Sequence, residues 1–373
     1  MKRHPWIVIP IWLLCAIATG AQTTAMPLVS PEVSGDHRVT FRFQMPNAGQ
    51  VSVSLEGAKP LPMQKDDQGI WTVITDALEP DYYGYVFLTD GVGIIDPSNP
   101  SMKPNLLFTS SQVHVPGPSS LSWELTDVPH GVIHHHFYTS GEVGDRRDFY
   151  VYTPPGYDPR GSQKYPVLYL LHGFSDDASG WTAVGRANVI FDNLIAQRKA
   201  KPMIVVMPLG YGAPEIVARG FGAFRDTELR DRNFSKFTEA LLTEVLPRVE
   251  ASYQVIADPQ SRAIAGLSMG GSESLLTGLN HLNQFAYIGA FSSGGIPEDF
   301  DKDFGSLDAQ TAKDLKMLWI ACGTDDGLIE INRKLRSWLT SKGVPHTDIE
   351  TPGAHTWMVW RRNLTNFGAL LFQ

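Results

Sequence analysis

The chain has 373 residues, 43% of them hydrophobic and 19% charged, with 34 glycines, 26 prolines and two cysteines. That length suits two domains, and the apolar fraction excludes a disordered or collagen-like chain. A formal net charge of −8 offers no basic face to phosphate, so nucleic-acid binding is not expected, and two cysteines cannot build a disulfide scaffold. At the start, Lys2, Arg3 and His4 precede an apolar run from Trp6 to Ala18, then small residues ending at Ala21. This pattern predicts a removable leader over residues 1–21. The run contains Pro10 and is too short to span a bilayer. A secreted or periplasmic protein follows, with no membrane attachment once the leader is gone.

Residues 27–115 read as a small all-β module. Val39–Phe43, Val51–Leu55, Trp71–Ile74, Tyr83–Phe87 and Gly93–Ile95 alternate or are rich in β-branched and aromatic residues, with turns at Asp67-Gln68-Gly69 and Asp90-Gly91. The stretch from Asn99 to Trp123 is rich in proline and serine and reads as a linker or covering segment. Residues 122–373 change character. Continuous apolar runs at Pro166–Leu171, Met203–Met207, Arg262–Ala265 and Met317–Ala321 suit strands buried on both faces. Helical patterns at Val189–Arg198, Phe237–Val249, Ser272–Leu282 and Ile329–Lys342 lie between or after them. The alternation predicts a mainly parallel sheet with helices on both faces.

The run Gly266-Leu267-Ser268-Met269-Gly270 joins a predicted strand to a predicted helix. That is the nucleophile elbow of an α/β hydrolase, with Ser268 at a tight turn and glycines where backbones pass closely. A serine nucleophile needs a base, and the base needs an orienting acid, in the order Ser, acid, His along such a chain. His355, in a loop before the last helix, is the base candidate; His346 opens a strand and reads as structural. Asp325 and Asp326 both follow the strand 317–321, and their adjacency leaves the acid open between them. The oxyanion needs backbone N–H donors: Met269 supplies one, and Gly173 or Phe174, after an early strand, supplies the second. His172 reads as a histidine that holds this loop. His134, His135 and His136 alternate across a strand, which does not suit a metal site, so no metal or other cofactor is expected. Trp181, Phe221, Phe224 and Trp357, beside Phe174 and Trp360, are the substrate-binding candidates for an apolar cleft near the serine; each also suits a core.

Six motifs carry a resemblance: Tyr150 to Tyr157, Leu170 to Phe174, Met207 to Gly212, Gly266 to Gly271, Cys322 to Asp326 and Gly353 to Trp357. In this order they resemble the esterase D-like hydrolases, which include xylanase-associated feruloyl and acetyl-xylan esterases. The resemblance implies that the acid is the second aspartate of its run, Asp326. It also implies a serine carboxylesterase acting on ester-decorated plant cell-wall polysaccharide or oligosaccharide, with feruloyl ester hydrolysis foremost. Acetyl-xylan hydrolysis and siderophore hydrolysis of the enterochelin type are the alternatives among enzymes. A carbohydrate-binding or scaffolding protein on an inactive hydrolase fold is the alternative outside them. The β module resembles early-set, immunoglobulin-like domains related to glycogen-binding modules, through Gly69-Ile70-Trp71, Tyr85-Val86-Phe87, Asp90-Gly91 and Asp96-Pro97. Gly93 stands where those modules often carry tryptophan, and Ala58 and Lys59 precede Pro60 where another is usual. Trp71 is then a core residue, and the module packs on the esterase and shapes its cleft.

Overall fold

The computed structural model describes residues 28–296 and 298–373, so the expected leader lies outside the described residues. Between Glu32 and Val115 two antiparallel sheets face one another. Their strands include Val39–Gln44, Val51–Leu55, Ile70–Ile74, Asp81–Thr89 and Ser110–Val115. Alternation does the work: Val39, Phe41 and Phe43 of one sheet meet Val53, Leu55, Tyr85 and Phe87 of the other, all buried. Trp71 belongs to this core and donates its indole N–H to the Met45 carbonyl at 2.9 Å. Ser110–Val115 pairs along Asp81–Thr89 and belongs to the sandwich, within the 27–115 expected for the module, so the linker reading of Asn99 to Trp123 fails for these residues. Their serine and glutamine hid a strand whose Val113 and Val115 point into the core.

The rest of the chain builds an eight-stranded sheet. We number its strands β1 (Val132–Thr139), β2 (Arg146–Thr153), β3 (Val167–Leu171), β4 (Ile204–Pro208), β5 (Arg262–Leu267), β6 (Tyr287–Phe291), β7 (Met317–Gly323) and β8 (Thr347–Thr351). Their spatial order is β1-β2-β4-β3-β5-β6-β7-β8, antiparallel as far as the β2–β4 pair and parallel from β4 to β8. Strands β3 to β6 are buried along their whole length, as their unbroken apolar runs require. The main helices are α1 (Ala187–Ala196), α2 (Thr227–Ala240), α3 (Met269–Asn280), α4 (Ile329–Ser341) and α5 (Trp357–Leu370). Two apolar clusters cover the two faces of the sheet, one with Leu241, Leu275 and Leu335, the other with Ile190, Leu364 and Phe367. Strand β6 carries no turn signals that separate it from a buried helix by pattern, and it was not anticipated. The helix expected at Phe237–Val249 begins ten residues earlier at Thr227, capped by the Asp226 side chain accepting from Leu229 N–H. It widens into a π-turn at Leu241–Val245 just before Pro247, which cannot donate to the helical ladder.

The sandwich docks on α5. Arg361, fully buried, donates through Nε to Asp81 Oδ1 at 2.8 Å, and through its terminal nitrogens to the carbonyls of Val184 and Tyr82. Met358 packs against the sandwich core, and Glu56 Oε1 accepts from Trp357 N–H at 3.1 Å. Among the described residues no helix is long and apolar enough to cross a membrane.

Candidate active site

Strand β5 ends at Leu267, and the chain turns at Ser268 into α3. Ser268 has φ 52° and ψ −117°, a left-handed conformation that costs about 1–3 kcal/mol for a residue with a side chain. Its N–H donates to the Phe291 carbonyl at 2.8 Å, and its carbonyl accepts from Gly294 N–H at 3.0 Å, so β6 holds the strained turn. The flanking glycines are demanded by space. A Cβ on Gly266 would fall 2.4 Å from the Gly270 carbonyl, and one on Gly270 would fall 2.4 Å from that of His172. Gly270→Ala is therefore expected to cost about 1–3 kcal/mol and to lower ester turnover with it, read from the urea midpoint and from initial rates.

The loop after β7 places Asp326 beneath the loop before α5. His355 Nδ1–H donates to Asp326 Oδ2 at 2.7 Å, and His355 Nε2 accepts from the Ser268 hydroxyl at 3.0 Å. Asp326 is buried, whereas its neighbour Asp325 is exposed. Burial opposes ionisation of Asp326, but the His355 ring, the Leu328 N–H and the Ser292 hydroxyl outweigh it and hold the carboxyl below its ordinary range. His346 precedes β8 at the other end of the sheet, with Nδ1 donating to the Val344 carbonyl at 2.9 Å.

His172 has the role expected of it. Its Nε2 accepts from Gly210 N–H at 2.9 Å, so Nδ1 carries the proton and donates to the Gly173 carbonyl at 2.8 Å. Burial pushes its pKa down, which keeps the ring neutral. The Gly173 carbonyl also accepts from Asp176 N–H at 3.2 Å. With that carbonyl held, the N–H of Phe174 in the same peptide points the opposite way. At the helix start, Met269 N–H is among the groups with no partner inside α3. The three histidines of β1 go their separate ways: His135 to Asp148, His136 to Tyr253 and His134 to Thr153.

Two of the four aromatic candidates do not line a cleft. Trp181 is 0% exposed and donates its indole N–H to the Leu171 carbonyl at 2.8 Å; Trp357 is 2% exposed and packs edge-on against it. Both are core, because α5 turns its Trp357 and Trp360 face onto the sheet. Phe221 and Phe224 do gather around Phe174, at ring distances of 5.0 and 5.1 Å. Phe221 is 63% exposed and stacks at 6.0 Å on Phe108, which comes from the β module and is itself exposed.

Residues that sequence reasoning passed over lie close by. Ser292, just after β6 with φ 51°, accepts from Trp360 Nε1–H at 3.2 Å, and Trp360 meets the His355 ring in a T-shaped contact at 4.8 Å. Glu273 of α3 is fully buried with no hydrogen-bond partner, and burial, opposed by the Arg147 charge, raises its carboxyl well above the usual range. Neither has a motif that marks it. Ser292 follows an unanticipated strand, and a glutamate in a helix reads as a solvated face.

The sequence profile of the family described as "Putative esterase" matches residues 140–369. The chain belongs to this esterase family. Its reaction class is carboxylic ester hydrolysis. Among curated proteins, the esterase is 31% identical over 351 residues to an endo-1,4-beta-xylanase/feruloyl esterase of Xylanibacter ruminicola. That match covers 92% of this chain, sandwich included, and 46% of the relative, so this chain spans about half of that protein's length. Among solved structures, a ferulic acid esterase of Anaeromyces mucronatus is 25% identical with a TM-score of 0.59, covering 69% of this chain and 96% of its own. The enterobactin esterase of Shigella flexneri, at 19% identity, shares the fold over 90% of this chain and 93% of its own with a TM-score of 0.67.

Proposed function

We propose that this esterase is an exported feruloyl esterase of plant cell-wall polysaccharide, with Ser268, His355 and Asp326 as its catalytic triad. The observation that carries the chemistry is the unbroken hydrogen-bond chain from the Ser268 hydroxyl through His355 to the buried Asp326. Ser268 Oγ attacks the ester carbonyl carbon while His355 Nε2 takes its proton. The tetrahedral oxyanion is met by the N–H groups of Met269 and Phe174, with Gly173 supporting their loop. Collapse breaks the bond to the sugar oxygen, and that oxygen leaves with the proton from His355. Water, deprotonated by the same ring, then releases the acid from Ser268. No step calls for a metal or cofactor beyond these groups.

The aromatic acyl group is supported by the Phe174, Phe221, Phe224 and Phe108 cluster beside the Ser268 loop. It is supported too by the xylanase/feruloyl esterase match, which extends over both modules. The sandwich is an early-set, immunoglobulin-like module over 27–115, followed by the hydrolase over 122–373. Siderophore lactone hydrolysis is the second reading, favoured by the two-module fold shared with the enterobactin esterase. An anionic catecholate ligand calls for free cations at the site. Lys103, at the end of a sandwich strand with its charge felt at Asp176, is instead paired with Glu56 at 2.7 Å.

The deciding measurement is a rate comparison on feruloylated arabinoxylan fragments, acetylated xylan and a catecholate trilactone. Ferulate release at the highest kcat/KM is expected; a preference for the trilactone replaces the first reading by the second, and one for acetyl esters removes the aromatic acyl pocket. Within the triad, Asp326→Asn is expected to lower kcat by about 10⁴-fold with Ser268 still in place, because the ring is then held in the wrong tautomer. Stopped-flow turnover of a nitrophenyl ester checks it.

A further inference from the structure

The loop of the β module between its strands Met102–Lys103 and Ser110–Val115 meets the turn that follows Phe174. Asn105 sits at its base. The amide nitrogen of Asn105 donates to Ser175 Oγ and to Asp176 Oδ1, both at 3.0 Å. Its amide oxygen accepts from the N–H groups of Leu107 and Phe108 at 3.0 and 2.9 Å, and its carbonyl accepts from the Thr109 hydroxyl at 2.8 Å. The next residue, Leu106, donates its N–H to the Ser175 carbonyl at 2.7 Å. The two bonds of the Asn105 amide nitrogen and the Leu106 N–H thus join the two modules, while the Asn105 oxygens brace the loop that carries them.

The partners are not incidental. Ser175 and Asp176 continue the turn that begins at Gly173 and Phe174, and Asp176 N–H closes it on the Gly173 carbonyl. Ser175 has φ 70°, a conformation that persists only when its surroundings hold it. Asp176 is buried and its carbonyl accepts from Tyr211 at 2.8 Å, so the turn is gripped from the hydrolase side too. A Cβ on Gly173 would fall 3.3 Å from the Ser268 Cβ and 3.6 Å from Asp176 Oδ2, so these three residues share one small space. Burial pushes the Asp176 carboxyl up to about 7, opposed by the Lys103 charge and by the Asn105 hydrogen bond.

We propose that Asn105 of the β module is a positioning residue for catalysis: it holds the 173–176 turn, and through it the Phe174 N–H, in the geometry that receives the oxyanion. This rests on the esterase reading above and assigns the module a part in the chemistry, apart from any contact with carbohydrate. A misplacement of a preorganised donor by a fraction of an ångström lowers kcat and leaves ground-state binding of a small ester nearly as it was.

The test uses the full chain. Asn105→Asp keeps the oxygen that caps Leu107 and Phe108 and removes the donor to Asp176; Asn105→Ala removes both. Each is expected to lower kcat on nitrophenyl acetate by about 10- to 100-fold, with KM within about twofold and affinity for a boronic acid, which forms a tetrahedral adduct, falling in step with kcat. Asp176→Ala is expected to match them, and Asn105→Ala with Asp176→Ala to be no worse than the poorer single variant, because the two act through one another. Unchanged kcat, losses that multiply in the double variant, or a loss confined to KM overturns the proposal. Labelling by a serine-directed fluorophosphonate separates the two readings. Label on Ser268 of wild type and both variants supports a working nucleophile with a misplaced turn, and no label on wild type removes the esterase reading itself.

Discussion

Ser268→Ala is expected to lower kcat on any accepted ester by about 10⁶-fold, leaving a residual rate about 10³- to 10⁴-fold above water. The loss is large because the three groups of the proposed triad act as one. Without the hydroxyl, His355 has no proton to take and Asp326 orients a ring with no task. The residue that remains is the work of the oxyanion donors and of binding. His355→Ala should cost a comparable amount, and the double variant little more, since a broken unit is not broken further. Initial rates with nitrophenyl acetate, taken against a mock preparation to exclude contaminating esterase, check the result. Wild-type turnover by Ser268→Ala would remove the nucleophile assignment. The fold should tolerate the change, because Ser268 contributes its backbone to the turn and its side chain only to His355.

Arg361→Leu is expected to lower stability by about 3–5 kcal/mol, since it leaves the buried Asp81 carboxylate only the partly exposed Arg362, at 4.0 Å, as a cation. Arg361 and Asp81 are both fully buried between the sandwich and α5, and Asp81 Oδ2 already lacks a hydrogen bond. Even with Arg361 present, burial raises the Asp81 pKa, with Arg361 opposing it. Removing that charge raises it further. The folded state then holds a proton that the unfolded chain has released, so stability falls as pH rises above the unfolded carboxyl value near 3.8 and through the raised one. The variant's urea midpoint is accordingly expected to recover on going from about pH 8 to about pH 5, more than the wild type's does. A pH-independent loss would assign the effect to packing. Asp81→Asn in the same background should restore part of the stability, because a neutral amide can stay buried where an ion cannot.

The sequence carried the chemistry far and the packing less far. Gly266 to Gly270 announced a strained turn because only glycine lets the backbone approach its neighbours there, and Gly270 indeed lies against the His172 carbonyl. The strands β3, β4, β5 and β7 were legible because a strand buried on both faces must be apolar throughout. Strand β6 was not, since five apolar residues fit a helix as well, and with it Ser292 stayed hidden. Trp181 and Trp357 show the converse. An aromatic residue near a motif looks the same in a list whether its helix turns it outward or inward, and here both rings are under the sheet.

What the sequence marked by itself is the set of candidate groups that the proposed chemistry demands: a serine between glycines, a histidine in a late loop, an aspartate after a strand. Local backbone geometry and chain order mark the serine and the histidine through their immediate neighbours, but leave the aspartate open between Asp325 and Asp326. Only the tertiary structure decided what those groups touch. It turned Asp326 inward and Asp325 to solvent, brought Asn105 from one module onto Ser175 and Asp176 of the other, and buried Asp81 against Arg361. Asn105 lies about 70 residues from its partners, and Asp81 lies 280 from Arg361. No pattern with a period of two or 3.6 reaches over such separations; contacts of that length are selected by how whole layers pack, which the neighbours in sequence do not record.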